Sequence, residues 1–340
     1  MRLVTFQFID RQPRVGVVIG DTIIDLAAAA PLVFDDPPPP PWRLLDVLEG
    51  MPDGMGLDGA AEIVAAVIDQ IGGADDEGME TSRYGPLTIG GVEMLIPLDE
   101  AHLLAPLPRP PSLRCFEASE RHMAALARLH GGGMPYYWYE RPIFAFGNHA
   151  AIYGPDAKIP LPRTTAFDYE LEVACVIGRA GRDIPLDEAN DYIAGYVLLN
   201  DWTARDVQHE ELIAGFAFSK SKDAATSLGP WLATPDELDE YTLDGGHFNL
   251  TLIARVNGIE QSRGNLRDLA YTFAQMAAAA SQDCTLYPGD IIACGAIGGS
   301  LLEATDGQGP WIEPDDLVEL EAAGLGVLRN RIVVRDFLRA

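Results

Sequence analysis

The sequence predicts a β-rich α+β fold, and three observations carry that expectation. Short runs of alternating or apolar residues recur with turn signals between them: DYELEVACVIG, IAGYVLLNDW, FNLTLIARVNG, GDIIACG and DLVELEAAGLG. Helical spacing is confined to fewer stretches, at 43–72, 118–130, 187–194 and 265–281. Strands and helices do not alternate as βα units, and neither GxGxxG nor the GxxxxGK phosphate loop occurs, which argues against a doubly wound nucleotide-binding sheet.

In chain order, residues 1–30 read as strands around a Gly-Asp turn, LVTFQFID and then RVGVVIGDTIIDL. The proline run in PLVFDDPPPPPW forbids regular structure and makes a stiff connection. Residues 73–90 are rich in Gly and Asp and read as loop, followed by a strand in GVEMLIPL. APLPRPPSLR, 105–114, reads as a linker that separates a small N-terminal domain, 1–104, from a larger one, 105–340.

The 340 residues include 51 acidic and 24 basic side chains, for a net charge of −27. Such a surface repels phosphate backbones and excludes nucleic acid as an expected partner. No apolar run approaches the roughly 18–20 residues of a membrane span, and MRLVTFQFID lacks a long apolar segment, so a cytoplasmic protein with no membrane partner is expected. The four cysteines show no CxxC spacing, which fits reduced, buried thiols. Lysine occurs three times, at 158, 220 and 222, and two of the three fall within SKSKD.

The most informative segment is AFDYELEVACVIG, 166–178. Tyr169, Leu171, Val173 and Cys175 share one face, and Asp168, Glu170, Glu172 and Ala174 the other. The Cβ atoms of Glu170 and Glu172 would then lie roughly 6.5–7 Å apart. Parallel carboxylates repel unless a cation or protons lie between them, although a solvated strand face would also tolerate the pair. VACVIG, apolar on both faces, reads as a buried central strand, where such carboxylates need a partner. YVLLNDWTARD delivers Asp201 at the end of a second apolar strand. Three carboxylates with only oxygen donors suit Mg²⁺ or Mn²⁺, with Ca²⁺ as a further option, better than zinc.

These segments resemble the fumarylacetoacetate hydrolase family over nearly the whole chain. DYELEVACVIG resembles the strand with that family's two metal-binding glutamates, and LLNDWTARDVQ its Asp-Trp-containing motif. FSKSKDAATSLGPW resembles the segment carrying an active-site lysine, and DCTLYPGDIIACGAIGGSLLE the one ending at an active-site glutamate. CFEASERHM resembles the stretch that holds the catalytic histidine of the hydrolases. The resemblance implies a mixed β-sheet roll or sandwich with a smaller N-terminal β-containing domain, assembled as a homodimer. It implies Glu170, Glu172 and Asp201 as metal ligands, and His122, Glu303 and Lys220 as catalytic residues. Arg205 and Gln208 would face the substrate, a small diketo or 2-oxo acid.

The chain departs from the family pattern at several positions. Cys115 stands where the family adds a fourth metal carboxylate, Glu117 where the hydrolases have a substrate-contacting tyrosine, and Leu212 where they have another. Gly295-Ala296 replaces Gly-Thr, and Ala125 replaces the glutamate of a His-x-x-Glu pair found in the isomerase branch. These changes argue against fumarylacetoacetate as substrate and bring Glu117 into the substrate-binding set, as an acceptor for substrate hydroxyls. The expected activity is hydrolysis of a C–C bond in a β-diketo or 2-oxo acid. An isomerase, hydratase or decarboxylase using the same metal-stabilised enolate, or an inactive ligand-binding member, are the alternatives.

Overall fold

A computed structural model of the chain describes residues 1–9, 12–51, 55–71, 88–89, 92–129 and 131–335. The loop expected over 73–90 lies outside these residues except at Thr88–Ile89, which pairs with Val92–Glu93. The alternation in the first thirty residues becomes three antiparallel strands, Arg2–Gln7, Arg14–Ile19 and Thr22–Asp25. GVEMLIPL supplies Leu95–Pro97 beside the third.

These strands run into the larger part of the molecule without a break in the sheet. Arg2 and Leu3 pair with Ala233 and Leu232. A twelve-stranded mixed sheet continues through Thr226–Ala233, Ile193–Asp201, Leu171–Ile177, Ile291–Ala293, Leu113–Phe116 and Phe144–Phe146. A second sheet of five strands holds Lys158–Pro160, Gly326–Val333, Leu317–Ala322, Thr251–Val256 and Ile259–Asn265. The largest apolar cluster joins residues of both sheets, among them Val173, Leu198, Leu252 and Leu320. The fold is the β-rich α+β arrangement the sequence predicts.

Local chemistry sets the helices. The 43–72 stretch forms two, Leu44–Glu49 and Leu57–Ile71, because the chain turns at Gly50 with φ +76°. Phe273–Ser281 begins at Thr272, whose hydroxyl accepts the Gln275 N–H while the Gln275 side chain accepts that of Thr272. The helix expected at 187–194 is a 3₁₀ turn, Ala189–Tyr192, because Ile193 already opens a strand paired on both sides. No helix among the described residues is long and apolar enough to cross a membrane.

Candidate metal and active site

Leu171–Ile177 is buried along its whole length and pairs with Ile193–Asp201 so that Leu171 faces Asn200. This register brings Glu170 and Asp201 to the same end of the sheet, where the Asp201 N–H donates to the Glu170 carbonyl at 3.4 Å. One oxygen each from Glu170, Glu172 and Asp201 then lie within 4.8 Å of one another, all buried.

Lys222 reaches into this cluster. Its Nζ donates to Glu170 Oε2 at 2.5 Å and Thr203 Oγ1 at 3.0 Å, and forms an ion pair with Asp201 Oδ2 at 2.9 Å. Lys220, the lysine expected here, instead points to solvent with its side chain 76% exposed and binds Asp223. The reason is the 3₁₀ turn Lys220–Lys222: at three residues per turn, side chains two apart point about 120° away from each other. The turn sends one lysine in and the other out.

The remaining expected residues do converge. His122 is fully buried, with Nδ1 2.8 Å from Glu303 Oε1 and Nε2 3.3 Å from Glu170 Oε1. Arg121 Nε lies 3.1 Å from the other Glu303 oxygen. Burial disfavours charge on His122, but the Glu170 and Glu303 carboxylates prevail and hold its pKa up at about 10. Arg205 donates through Nη1 to Glu170 Oε1 at 2.7 Å and to Gln208 Oε1 at 3.0 Å. Its Nη2 and the Gln208 Nε2 are buried without hydrogen-bond partners. Both residues border a cavity of about 300 Å³ with His209, Leu302 and Trp311.

Asp168 is the member that sequence reasoning missed. Fully buried, it accepts from Arg205 Nε at 2.8 Å and from the N–H groups of Leu301 and Leu302 at 2.8 and 3.1 Å. It thereby orients Arg205 and anchors the short helix Leu301–Ala304, which carries Glu303 to His122. Its place on the face of Glu170 and Glu172 was the available signal.

The electrostatics test whether a cation fits. Burial opposes charge on Glu170, yet Lys222, Arg205 and His122 hold its pKa well below the usual carboxylate range. Burial raises Glu172 well above that range, and Glu170 and Asp201 push it further. Burial also raises Asp201, and raises Glu117 to about 7. The hydrogen bond made by Glu172 comes from the Gly295 N–H at 3.0 Å. Glu117 Oε2 and Asp201 Oδ2 have no hydrogen-bond partner; the Lys222 ammonium lies beside the latter without the alignment of one. A buried set of oxygen donors this short of positive charge fits a hard divalent cation.

Glu117 belongs to the same space. A Cβ placed on Gly295 would lie 3.3 Å from Glu117 Oε2 and 2.6 Å from the Phe116 carbonyl, and Gly295 has φ +86°. Glycine is what lets the chain pass here and offer its N–H to Glu172. Cys115 is buried nearby, and burial with the charges of Asp201 and Glu172 keeps its thiol protonated.

Comparison with known proteins identifies the family. Residues 113–333 match the model of the fumarylacetoacetate (FAA) hydrolase C-terminal family. The 2,4-didehydro-3-deoxy-L-rhamnonate hydrolase of Sphingomonas sp. is 34% identical over 186 residues, 54% of this chain and 62% of that protein. The mitochondrial oxaloacetate tautomerase FAHD2A of Bos taurus is 30% identical over 240 residues, 70% of this chain and 72% of that protein. In fold, the chain is similar to maleylpyruvate hydrolase from Sphingobium sp. SYK-6, solved with manganese(II) and pyruvate. The TM-score is 0.68 at 24% identity, covering 99% of this chain and 100% of the other.

Proposed function

The chain belongs to the fumarylacetoacetate hydrolase family, and on that premise we propose that it is a metal-dependent hydrolase cleaving a C–C bond in a β-diketo or 2-oxo acid. The observation that carries the reading is the His122–Glu303 pair, 2.8 Å apart, standing beside the Glu170, Glu172 and Asp201 cluster. A base held by a carboxylate next to an oxygen-ligand cluster is what hydrolysis of a carbon–carbon bond needs.

Glu170, Glu172 and Asp201 would hold Mn²⁺ or Mg²⁺, which when bound supplies Lewis-acid stabilisation of negative charge on substrate oxygens. The chain's own groups do the rest. Arg205 Nη2 and Gln208 Nε2, unpaired in the protein, receive the oxygens of the substrate's acid group, and the Glu117 carboxylate accepts from its donors. Glu303 fixes the proton of His122 on Nδ1 and leaves Nε2 to take a proton from water. Hydroxide adds to the carbonyl carbon, the C–C bond breaks, and the carbon released as an enolate takes the proton back from His122. Lys222 provides the positive charge facing that enolate. Glu170 and Glu303 are the two carboxylates that raise the pKa of His122, and a cation held by Glu170 would offset the charge of the first of them.

A panel of acylpyruvates and oxaloacetate, assayed with Mn²⁺ or Mg²⁺, tests the reading. His122→Asn is expected to lower kcat by about 10²–10⁴-fold. Full activity in that variant would overturn the assignment. The similarity to an oxaloacetate tautomerase favours a second reading, in which the same groups only move protons. Keto–enol exchange on oxaloacetate without any two-fragment product from the acylpyruvates would select it.

A further inference from the structure

The SKSK segment contains two lysines, and something must determine which of them enters the site. Glu211 lies on the helix Arg205–Ile213, outside the carboxylate cluster, and its half-buried side chain faces this turn. Its Oε1 accepts from the Ser219 hydroxyl at 2.8 Å and the Lys220 N–H at 2.5 Å. Its Oε2 accepts from the Ser221 hydroxyl at 2.6 Å and the Ser219 N–H at 3.2 Å, and the Ser221 N–H lies 3.4 Å from both oxygens. One carboxylate thus gathers the three successive N–H groups of 219–221 and both serine hydroxyls. At the far end of the turn, Asn148 Nδ2 donates to the Asp223 carbonyl at 3.0 Å and to its Oδ1 at 2.8 Å.

We propose that Glu211 is a positioning residue: it fixes the phase of the 219–222 turn so that Lys222, and not Lys220, is held between Glu170 and Asp201. The physical ground is that a carboxylate binding consecutive amides leaves the turn one rotational setting. In that setting Lys222 is 7% exposed with its ammonium on two site carboxylates, whereas Lys220 lies on Asp223 at the surface. Without Glu211 the serines and amides have only water to bind, and the turn is tied to the protein by Asn148 at Asp223 and by the Lys222 ammonium itself. The helix then does two jobs with opposite ends: Arg205 and Gln208 face the site directly, while Glu211 acts on it through Lys222.

The chain has three lysines, which makes the test clean. Brief acylation of the purified protein with acetic anhydride, read by peptide mass spectrometry, reports each amine separately. Lys158 and Lys220, both exposed, are expected to react in all variants, and Lys158 serves as the reference. Lys222 is expected to be protected in the wild type and to react about tenfold faster or more in Glu211→Ala, because charge-assisted hydrogen bonds that close the turn are gone. Unchanged protection of Lys222 would overturn the proposal. Should the alanine variant unfold, Glu211→Gln, which keeps the shape but cannot accept at both ends, carries the same measurement.

A second readout rests on the metal reading and separates the two ideas. In calorimetric titration with Mn²⁺, Lys222→Met is expected to bind more tightly than the wild type, since an ammonium no longer shares Glu170 and Asp201 with the cation. Glu211→Ala is expected to shift affinity the same way, and the double variant to bind no more tightly than Lys222→Met alone. Additive effects would show that Glu211 does not act through Lys222. A wild type that binds no Mn²⁺ would sink the metal reading while the acylation result still decides the role of Glu211.

Discussion

Asp168 and Glu172 are four residues apart, both buried, and everything around them differs. Asp168 accepts from a guanidinium and two helix-terminal N–H groups, besides the N–H of Tyr169. Glu172 accepts from one backbone N–H and stands beside Glu170, Asp201 and Glu117. Burial raises the pKa of both; Arg205 and the amides then oppose the rise at Asp168, whereas the acidic neighbours add to it at Glu172. The protein answers the carboxylate that holds its architecture and leaves the one at the site short of donors. A buried polar group without partners costs free energy, so the shortage marks where a ligand belongs.

Removing the charge from each carboxylate in turn separates the two roles. Asp168→Asn is expected to destabilise the protein by about 3–5 kcal/mol in urea denaturation, because Arg205 loses a buried partner. A loss under about 1 kcal/mol would mean that Asp168 is no anchor. Glu172→Gln is expected to do the reverse in the metal-free protein, raising its melting temperature by relieving repulsion. The same change should weaken Mn²⁺ binding by about 100-fold or more, since even outer partners of a metal site cost 10–100-fold.

Acidity sharpens the same contrast. Glu117 has a pKa of about 7 in the fold against a usual value of 4.5. The folded state therefore holds a proton that the unfolded chain has released between those values. Its contribution to stability is full below about 4.5 and is lost as pH rises through about 7. Melting curves of the metal-free wild type should show this decline, and Glu117→Gln should flatten it. The smallest effect is expected at Asp206, a half-exposed carboxylate accepting from Thr164 and Thr165. Its donors lower its pKa despite burial, and Asp206→Asn should cost about 1 kcal/mol.

The sequence made the acidic strand legible because strand period alone places Glu170 and Glu172 together, and an apolar run implies burial. Asp201 followed from the same logic at the end of a second such run. Lys222 was not legible. Choosing between two lysines two residues apart depends on the rotational setting of a turn, and the group that holds that setting, Glu211, lies outside the motif. Asp168 was hidden for a related reason: its donors, Leu301 and Leu302, are 133 and 134 residues away. The helix expected at 187–194 failed because pairing on both sides claimed Ile193 for a strand, a tertiary preference that no local pattern records.

The His122–Glu303 contact spans 181 residues, and the strand just before His122, Leu113–Phe116, lies parallel to Ile291–Ala293. On the ribosome the histidine emerges long before the carboxylate that holds it. A nascent chain ending short of residue 300 carries Glu170, Glu172 and Asp201 but has neither the base partner nor the amides that anchor Asp168. Competence thus arrives only once Leu301, Leu302 and Glu303 have been made, and a product terminated before them would display the acidic residues without the machinery to use them.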